Sequence, residues 1–342
     1  MKKRAVPVVV LFAVFILVAC TGPMGPQGAT GATGATGAPG SDGEDANVMN
    51  YIVTPSQLVS NASCYGSGSI VSVGEKGAVA YKTVGATWSD IITLNSNLIL
   101  NGVACGTVNG YVTFVAVGDN GNIYYSQDGG GKWTFATSSS GISMNLEDVA
   151  FGNGLFVAVG NNGDGSQVLL TSSDGDKWND RTPVDQGRML TSIDYMNGRF
   201  IAGAYDQSGE YVYESADGLS WMAAKSLDTT TATSIVGVDY CCGFYLALDS
   251  AGTIRKSVDG STWIAVDSID NTQTYAGIAN DGKRFVLLTQ GGSVFATSDA
   301  ETWSILPSMP TSTLSSIIYS GLEWAAGFDG GSFIVSRKVI VG

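Results

Sequence analysis

The segment KSVDGSTWIAV, residues 256–266, joins a strand-like stretch to a tryptophan through an Asp-Gly pair. Aspartate accepts hydrogen bonds from nearby backbone N–H groups, and glycine adopts positive φ without strain, so the pair predicts a tight turn. The phrase occurs four more times, as YSQDGGGKW (125–133), TSSDGDKW (171–178), ESADGLSW (214–221) and ATSDAETW (296–303). Its recurrence indicates one structural unit copied along the chain.

Tryptophans mark the length of this unit, because six of them are spaced by 45, 45, 43, 42 and 40 residues: Trp88, Trp133, Trp178, Trp221, Trp263 and Trp303. Each unit contains a short strand, a turn, a near-continuous apolar run such as LFVAVG (155–160), a Gly-rich hairpin and a third strand that leads into the phrase. Apolar runs of this kind predict strands that are covered on both faces. A period of 40–45 residues with four strands is typical of a propeller blade.

The pattern predicts an all-β fold over residues 46–342, a seven-bladed β-propeller of four-stranded antiparallel blades. The first unit, 63–88, has Val84 where the other units have aspartate. The last unit starts near Leu314 and has only three strands before the chain ends. Two segments compete to supply its fourth strand, VMNYIVT (48–54) and KVIVG (338–342).

The chain begins with a predicted signal peptide over residues 1–19, in which three basic residues precede an apolar run. The run ends LVAC (17–20), which resembles the lipobox of bacterial lipoproteins. The resemblance implies that Cys20 becomes the lipidated first residue of a protein anchored to a membrane of the bacterial cell envelope, at the outer membrane or the cell surface. The alternative is an ordinary signal peptide with an incidental cysteine.

Residues 20–45 form a second predicted segment, in which glycine occupies every third position from Gly22 to Gly43. Strict Gly-X-Y spacing is typical of the collagen triple helix, because only glycine fits at its crowded axis. Two interpretations stay open. The segment is either a stalk that joins three chains into a homotrimer or a flexible linker with a collagen-like sequence.

Composition excludes several classes of function. The net charge of −13 disfavours nucleic acid as a partner, and the absence of histidine excludes His-based catalytic triads and His metal ligands. We expect no cofactor and no metal site. Cys64 and Cys105 fall at similar points of successive units, so a disulfide between them is one option. We expect the adjacent Cys241 and Cys242 to be two buried thiols.

The repeated phrase resembles the Asp-box, or BNR, repeat S-x-D-x-G-x-T-W of sialidase-like propellers. Residues 126–133 keep the spacing of that repeat, whereas the other copies are one residue shorter. In this family the box is architectural and lies away from the ligand face. The resemblance therefore implies structural roles for Ser126, Asp128, Trp133, Ser172, Asp174, Trp178, Ser215, Asp217, Trp221, Ser257, Asp259, Trp263, Thr297, Asp299 and Trp303.

Sialidase activity is disfavoured, because after residue 4 the first arginine is Arg181 and the F-R-I-P motif of sialidases is missing. We therefore assign no catalytic residue and predict a non-catalytic binding or scaffold protein for a protein or glycan ligand. The alternative is a glycosidase that uses two channel carboxylates. Its candidate acids are Asp119, Asp194, Asp206, Asp239 and Asp249, of which Asp194 and Asp239 are predicted on inner strands of adjacent blades.

Overall fold

A computed structural model describes residues 15–17, 20–21, 42–43, 47–49, 53–55, 58–136, 143–162, 164–182, 187–222, 225–228, 233–266, 273–306, 314–321, 323–328 and 332–337. These residues form β-strands and two single-turn 3-10 segments, Glu75–Gly77 and Asp119–Gly121, and they include no α-helix. Accordingly, the described part of the chain holds no helix that could cross a membrane. The all-β prediction is confirmed.

Seven four-stranded antiparallel sheets make up the propeller, and six of them are built from four consecutive strands. Blade 1 contains Ser60–Gly66, Ser69–Gly74, Ala78–Thr83 and Ile92–Thr93; blade 2 contains Leu100–Val108, Tyr111–Gly118, Ile123–Ser126 and Thr134–Phe135; blade 3 contains Asn145–Gly152, Leu155–Asn161, Gln167–Ser172 and Asn179–Asp180. Blade 4 contains Met189–Met196, Arg199–Asp206, Gly209–Ser215 and Lys225–Asp228; blade 5 contains Ile235–Cys241, Phe244–Asp249, Ile254–Ser257 and Ile264–Val266; blade 6 contains Tyr275–Asn280, Phe285–Thr289, Val294–Thr297 and Ser304–Leu306.

The remaining sheet corrects the prediction of a seven-bladed propeller, because it is not a seventh copy of the repeat. Only six blades are self-contained copies of the repeat. The closing sheet joins Leu314–Tyr319, Glu323–Phe328 and Ser332–Arg337 to Val53–Pro55 from the start of the domain. Ser332 is paired with Pro55 in this register. The N-terminal candidate therefore supplies the fourth strand, and the rival segment 338–342 lies outside the described residues. Strands from both ends of the domain thus share one sheet.

Neighbouring blades are joined by side chains that donate to a backbone carbonyl of the next blade, and most of these donors lie on innermost strands. Ser315 Oγ donates to Ser60 O at 2.7 Å and so links the closing sheet to blade 1. Several donors, such as Asn61, occupy a β-bulge, where the extra residue is free to turn toward the neighbour. The other links are Asn61 to Leu100, Asn101 to Leu146, Asn161 to Leu190 and Thr191 to Ile235.

The core lies between blades rather than within them. The second strand of blade 5, Phe244–Asp249, is buried at all six positions, as its apolar sequence predicted. One apolar cluster combines Leu246 and Leu248 of blade 5 with Phe285 and Leu287 of blade 6. Each sheet therefore hides its faces against its neighbours, and the ring as a whole is the stable object.

Two small sheets precede the propeller. Phe15–Leu17 pairs with Asn47–Met49, and Cys20–Thr21 pairs with Asp42–Gly43. Most of residues 1–52 lie outside the described part of the chain. The boundaries of the signal peptide at 1–19, the Gly-X-Y segment at 20–45 and the propeller at 46–342 stay predictions.

Candidate binding channel

A central cavity of about 580 Å³ is lined by the first strands of all seven sheets. Its titratable lining consists of Cys64, Cys105, two tyrosines and a group of four acids, Glu147, Asp148, Asp194 and Asp239; no lysine, arginine or histidine belongs to the described lining. Within the described residues, no three Cys, Asp or Glu side chains are arranged to hold a metal ion. The described lining of the channel is therefore acidic and carries no basic side chain.

Three aspartates occupy neighbouring blades on one side of this channel. Asp194 and Asp239 share a register position, since each is the third residue after the bulge of its strand and pairs with Ile201 or Leu246. Asp148 lies two positions earlier on the strand of blade 3. The repeat geometry thus brings together acids that are about 45 residues apart in sequence.

Each aspartate is held by a different set of donors. Asp148 bridges two blades, because Oδ2 accepts from Ile193 N of blade 4 at 2.9 Å and Oδ1 accepts from Val149 N at 2.8 Å. Asp194 Oδ1 accepts from Tyr195 N at 2.7 Å.

Asp239 accepts the most hydrogen bonds of the three. Its Oδ1 accepts from Tyr240 N at 2.7 Å, and Asn280 Nδ2 on blade 6 donates to both carboxylate oxygens at 2.9 Å. Asp239 is thus held from its own blade and from the next one.

Burial raises the pKa of all three carboxyl groups. It raises the pKa of Asp148 to about 7 against the opposing effect of the Ile193 and Val149 N–H groups. It raises the pKa of Asp239 to about 6, although the Asn280 amide and the Tyr240 N–H favour the charged form.

Asp194 shows a further effect, because its neighbours are acids. Its side chain is exposed to solvent inside the channel, but the surrounding blades displace most of its hydration. This desolvation, followed by the charge of Asp239 and that of Asp148, raises the pKa of Asp194 well above its usual value. Desolvation and mutual repulsion therefore disfavour the ionisation of all three carboxyl groups at neutral pH.

On five of the first strands, the residue that comes directly after the register position of Asp194 and Asp239 is aromatic. Four of them stack on the second strand of their own sheet: Phe151 on Phe156, Tyr195 on Phe200, Tyr240 on Tyr245 and Tyr319 on Trp324, with ring centroids 4.6–4.8 Å apart. Tyr65 occupies the same position in blade 1 and is 36% exposed. Of these rings, those of Tyr65, Phe151 and Tyr319 line the cavity, so the channel combines carboxylates with aromatic rings, a combination that suits cationic groups.

The predicted acids divide into two groups. Asp194 and Asp239 line the channel, as the repeat alignment predicted. The other three lie outside it: Asp119 accepts from Asn101 Nδ2 at 3.2 Å, Asp206 is 3.4 Å from Arg188 Nε, and Asp249 is buried against Arg255 at 2.9 Å.

Asp148 was missed by the sequence analysis. Its signal was present, because it is the charged residue at the start of DVAF (148–151), a segment predicted to be a first strand.

The Trp-closed turns lie between the third and fourth strands of blades 2–6, and their aspartate carboxylates accept hydrogen bonds from within the turn. Asp259 Oδ1 accepts from Ser261 N and Thr262 N at 2.7 Å, Ser257 Oγ accepts from Gly260 N at 2.9 Å, and Trp263 Nε1 donates to Gly260 O at 3.0 Å. The Thr262 and Ser261 N–H groups lower the pKa of Asp259 to about 2.

The equivalent aspartates of the other four turns each accept backbone N–H bonds in the same way, at Asp128, Asp174, Asp217 and Asp299. Every one of these carboxyl groups has a lowered pKa.

The four cysteines of the propeller are free thiols. Cys64 and Cys105 lie on the first strands of blades 1 and 2 and share a hydrogen bond, so the disulfide considered for them is not formed in the structure. Burial, and then the Cys105 thiol, raises the pKa of Cys64. The expectation of two buried thiols at Cys241 and Cys242 is wrong in one half, because Cys242 is exposed.

No protein-family profile and no curated protein sequence matches the chain. Among solved structures, YCF48 bound to a D1 peptide matches at a TM-score of 0.64 and 16% identity, over 85% of this chain and 97% of that one. YCF48 from Cyanidioschyzon merolae gives the same score and identity over 84% and 98%. A catalytically inactive variant of virginiamycin B lyase from Staphylococcus aureus, solved with quinupristin, matches at a TM-score of 0.68 and 10% identity over 84% and 99%. At these identities the similarity shows the fold alone, and that fold is a β-propeller.

Proposed function

We propose that this chain is a non-catalytic binding protein whose channel receives a positively charged segment of a protein partner. The observation that carries the proposal is the one-sided group of Asp148, Asp194 and Asp239, in a channel whose described lining has no basic residue. A β-propeller is a common scaffold for protein interaction, and a YCF48 propeller of similar fold is described with a bound peptide.

The electrostatics support a cationic segment. Carboxylates in a narrow channel lose hydration, which disfavours their charged forms. A lysine or arginine side chain placed among them supplies the opposite charge and restores the ionised state. The aromatic rings of Tyr65, Phe151 and Tyr319 also line the cavity, and such rings add cation–π attraction of about 0.5–2 kcal/mol per contact.

Labelled peptides test this proposal. We expect the protein to bind an Arg/Lys-rich peptide, more weakly as salt rises, and not a Glu-rich peptide of equal length. Replacing Asp194→Asn and Asp239→Asn together should weaken binding about tenfold, equivalent to about 1.4 kcal/mol.

A matched control removes two charges outside the channel through Asp90→Asn and Glu301→Gln, since both residues are exposed. If this control loses as much affinity as the channel variant, the attraction comes from net charge and the channel proposal is wrong. Binding of a glycan but not of any peptide would replace the protein partner with a glycan.

The second candidate function is glycoside hydrolysis. It is favoured by the raised pKa of Asp194, which suits a general acid, next to Asp239, whose pKa burial raises to about 6. A panel of aryl glycosides tests it. Turnover that is abolished by Asp194→Asn would establish an enzyme and overturn the non-catalytic proposal.

We further propose that the protein is held at the bacterial cell envelope by lipid on Cys20, with residues 22–43 as a linker. The support is the sequence pattern alone. Mass spectrometry of the mature N-terminus should find an acylated Cys20; cleavage elsewhere would exclude the anchor. Light scattering of the mature chain distinguishes the linker from a trimeric stalk, because Gly31→Ala with Gly34→Ala should reduce a trimer to monomers and leave a monomer unchanged.

A further inference from the structure

The hairpin between the first and second strands has an unusual residue in blade 5. In blades 1–4 the turn places Ser67, Asn109, Asn153 and Asn197 at φ of 49–50°, each followed by a glycine at positive φ. Asparagine tolerates this left-handed conformation better than most residues. Blade 5 has Cys242 at this position, with φ of 61°, followed by Gly243. The needs of the turn do not explain a cysteine there.

The preceding residue is also a cysteine, in a different environment. Cys241 ends the first strand of blade 5, is only 4% exposed, and belongs to an apolar cluster with Phe244 and Phe285. Cys242 is exposed to solvent. The two Sγ atoms lie 2.7 Å apart, and both thiols are free. A shielded thiol and an accessible thiol are therefore in direct contact.

We propose that Cys241 and Cys242 form a thiol–disulfide exchange site, which closes to a vicinal disulfide when it meets a small disulfide such as glutathione disulfide. The Cys242 thiolate attacks one sulfur of that disulfide, forms a mixed disulfide and releases one glutathione thiolate. Cys241 then transfers its proton to a base such as the released glutathione thiolate, attacks Cys242 Sγ and releases the second glutathione as thiolate. Two protons leave the protein, and its two electrons reduce the oxidant.

The order of attack follows from the two environments. Burial, and then the contact with Cys242, raises the pKa of Cys241 to about 12, so this thiol is protonated at neutral pH. The thiolate is the reactive form of cysteine, and only Cys242 is reached from solvent. Cys242 therefore reacts first and Cys241 resolves the intermediate.

Closure of the pair changes a contact between blades. In the reduced structure, Cys242 Sγ donates to Lys283 O of blade 6 at 3.1 Å. Oxidation removes this S–H donor. Lys283 follows closely after Asn280, which holds both carboxylate oxygens of Asp239. Closure of the pair therefore alters a contact between blades 5 and 6.

The test uses the wild-type full chain, incubated with glutathione disulfide, then denatured, alkylated without reduction and digested with trypsin. The segment between Lys225 and Arg255 contains no other cysteine, so it reports the pair directly. We expect this peptide to lose two hydrogen atoms and to take up no alkyl group. After treatment with dithiothreitol before alkylation, the same peptide should instead carry two alkyl groups.

Two variants test which of the two cysteines reacts first. Cys241→Ser should stop at a stable glutathione adduct on Cys242, whereas Cys242→Ser should leave Cys241 unmodified in the folded protein. Cys64 and Cys105 serve as internal controls for general oxidation. Two alkyl groups on the wild-type peptide after oxidation, or bonds from either residue to another chain, would overturn the proposal. Because the main measurement needs no substitution, poor folding of a variant does not affect it.

Discussion

Aspartates in two regions of this propeller have opposite acid–base behaviour. In the Trp-closed turns, backbone N–H groups lower the pKa of Asp259 to about 2. In the channel, burial raises the pKa of Asp148 to about 7 and that of Asp239 to about 6. The difference shows that the environment, and not the residue type, separates a group that stabilises the fold from one available to a ligand.

The turn carboxyl groups and the channel carboxyl groups should both affect how the stability of the fold changes with pH. We expect the loss of stability at acid pH to be the largest effect, because the carboxyl groups of five turns are protonated together. A carboxyl group with a lowered pKa stabilises fully above its unfolded value near 3.9, and this contribution is lost as pH falls toward about 2. A channel carboxyl has a raised pKa, so its contribution is present below pH 4 and is lost as pH rises through about 6–7.

Thermal melts from pH 2 to pH 9 measure this profile. We expect a steep fall of Tm on the acid side and a shallower fall above pH 6. A profile that keeps rising to pH 9 would contradict the raised pKa values of the channel acids.

Loss of a single turn carboxylate should have the next largest effect. Asp174 Oδ1 accepts from Asp176 N at 2.9 Å and from Lys177 N at 2.8 Å. We expect Asp174→Ala to lower the free energy of unfolding by about 2 kcal/mol at pH 7, because these donors lose a charged acceptor. Urea unfolding measures it. The control Asp90→Ala, at an exposed site, should change stability by less than about 0.5 kcal/mol.

A neutral substitution in the channel should act in the opposite direction. We expect Asp239→Asn to raise the free energy of unfolding by about 1 kcal/mol at pH 8, because it removes a poorly hydrated charge. At pH 5 the native aspartate is mostly protonated and the gain should be smaller, although it vanishes only below about pH 4, where the unfolded aspartate is protonated as well. Urea titrations at the two pH values test this, and a loss of stability at pH 8 would assign Asp239 a structural role like that of the turns.

The smallest expected effect is in the last Trp-closed turn. Ala300 has φ of 62°, whereas the equivalent Gly218 and Gly260 have φ of 74–75°. We expect Ala300→Gly to stabilise the protein by about 0.5–1 kcal/mol, because the left-handed conformation strains alanine. Gly260→Ala is the matched control and should destabilise by a similar amount. Equal effects of the same sign would show that backbone strain is not the cause.

Part of the candidate site could be predicted from sequence. The repeat alignment placed Asp194 and Asp239 on adjacent first strands, and both line the channel. Asp148 was missed because it lies two register positions earlier on its strand than Asp194 and Asp239 do on theirs. The hydrogen bond from Ile193 N to Asp148 joins blade 4 to blade 3, and no short stretch of sequence predicts it. Exposure of Cys242 depends on how the turn projects from the ring, which the cysteine pair alone does not show.

What the amino-acid sequence determined by itself is the local unit: four strands, the apolar second strand and the Asp-Gly turn before a tryptophan. These features depend on hydrogen bonds within a few residues and on the two-residue alternation of strands, so they are visible in a short window. The tertiary structure alone decided that Val53–Pro55 completes the closing sheet and that six blades are self-contained. It also decided the pKa values of the channel acids, because desolvation depends on neighbouring blades that only the closed ring brings together.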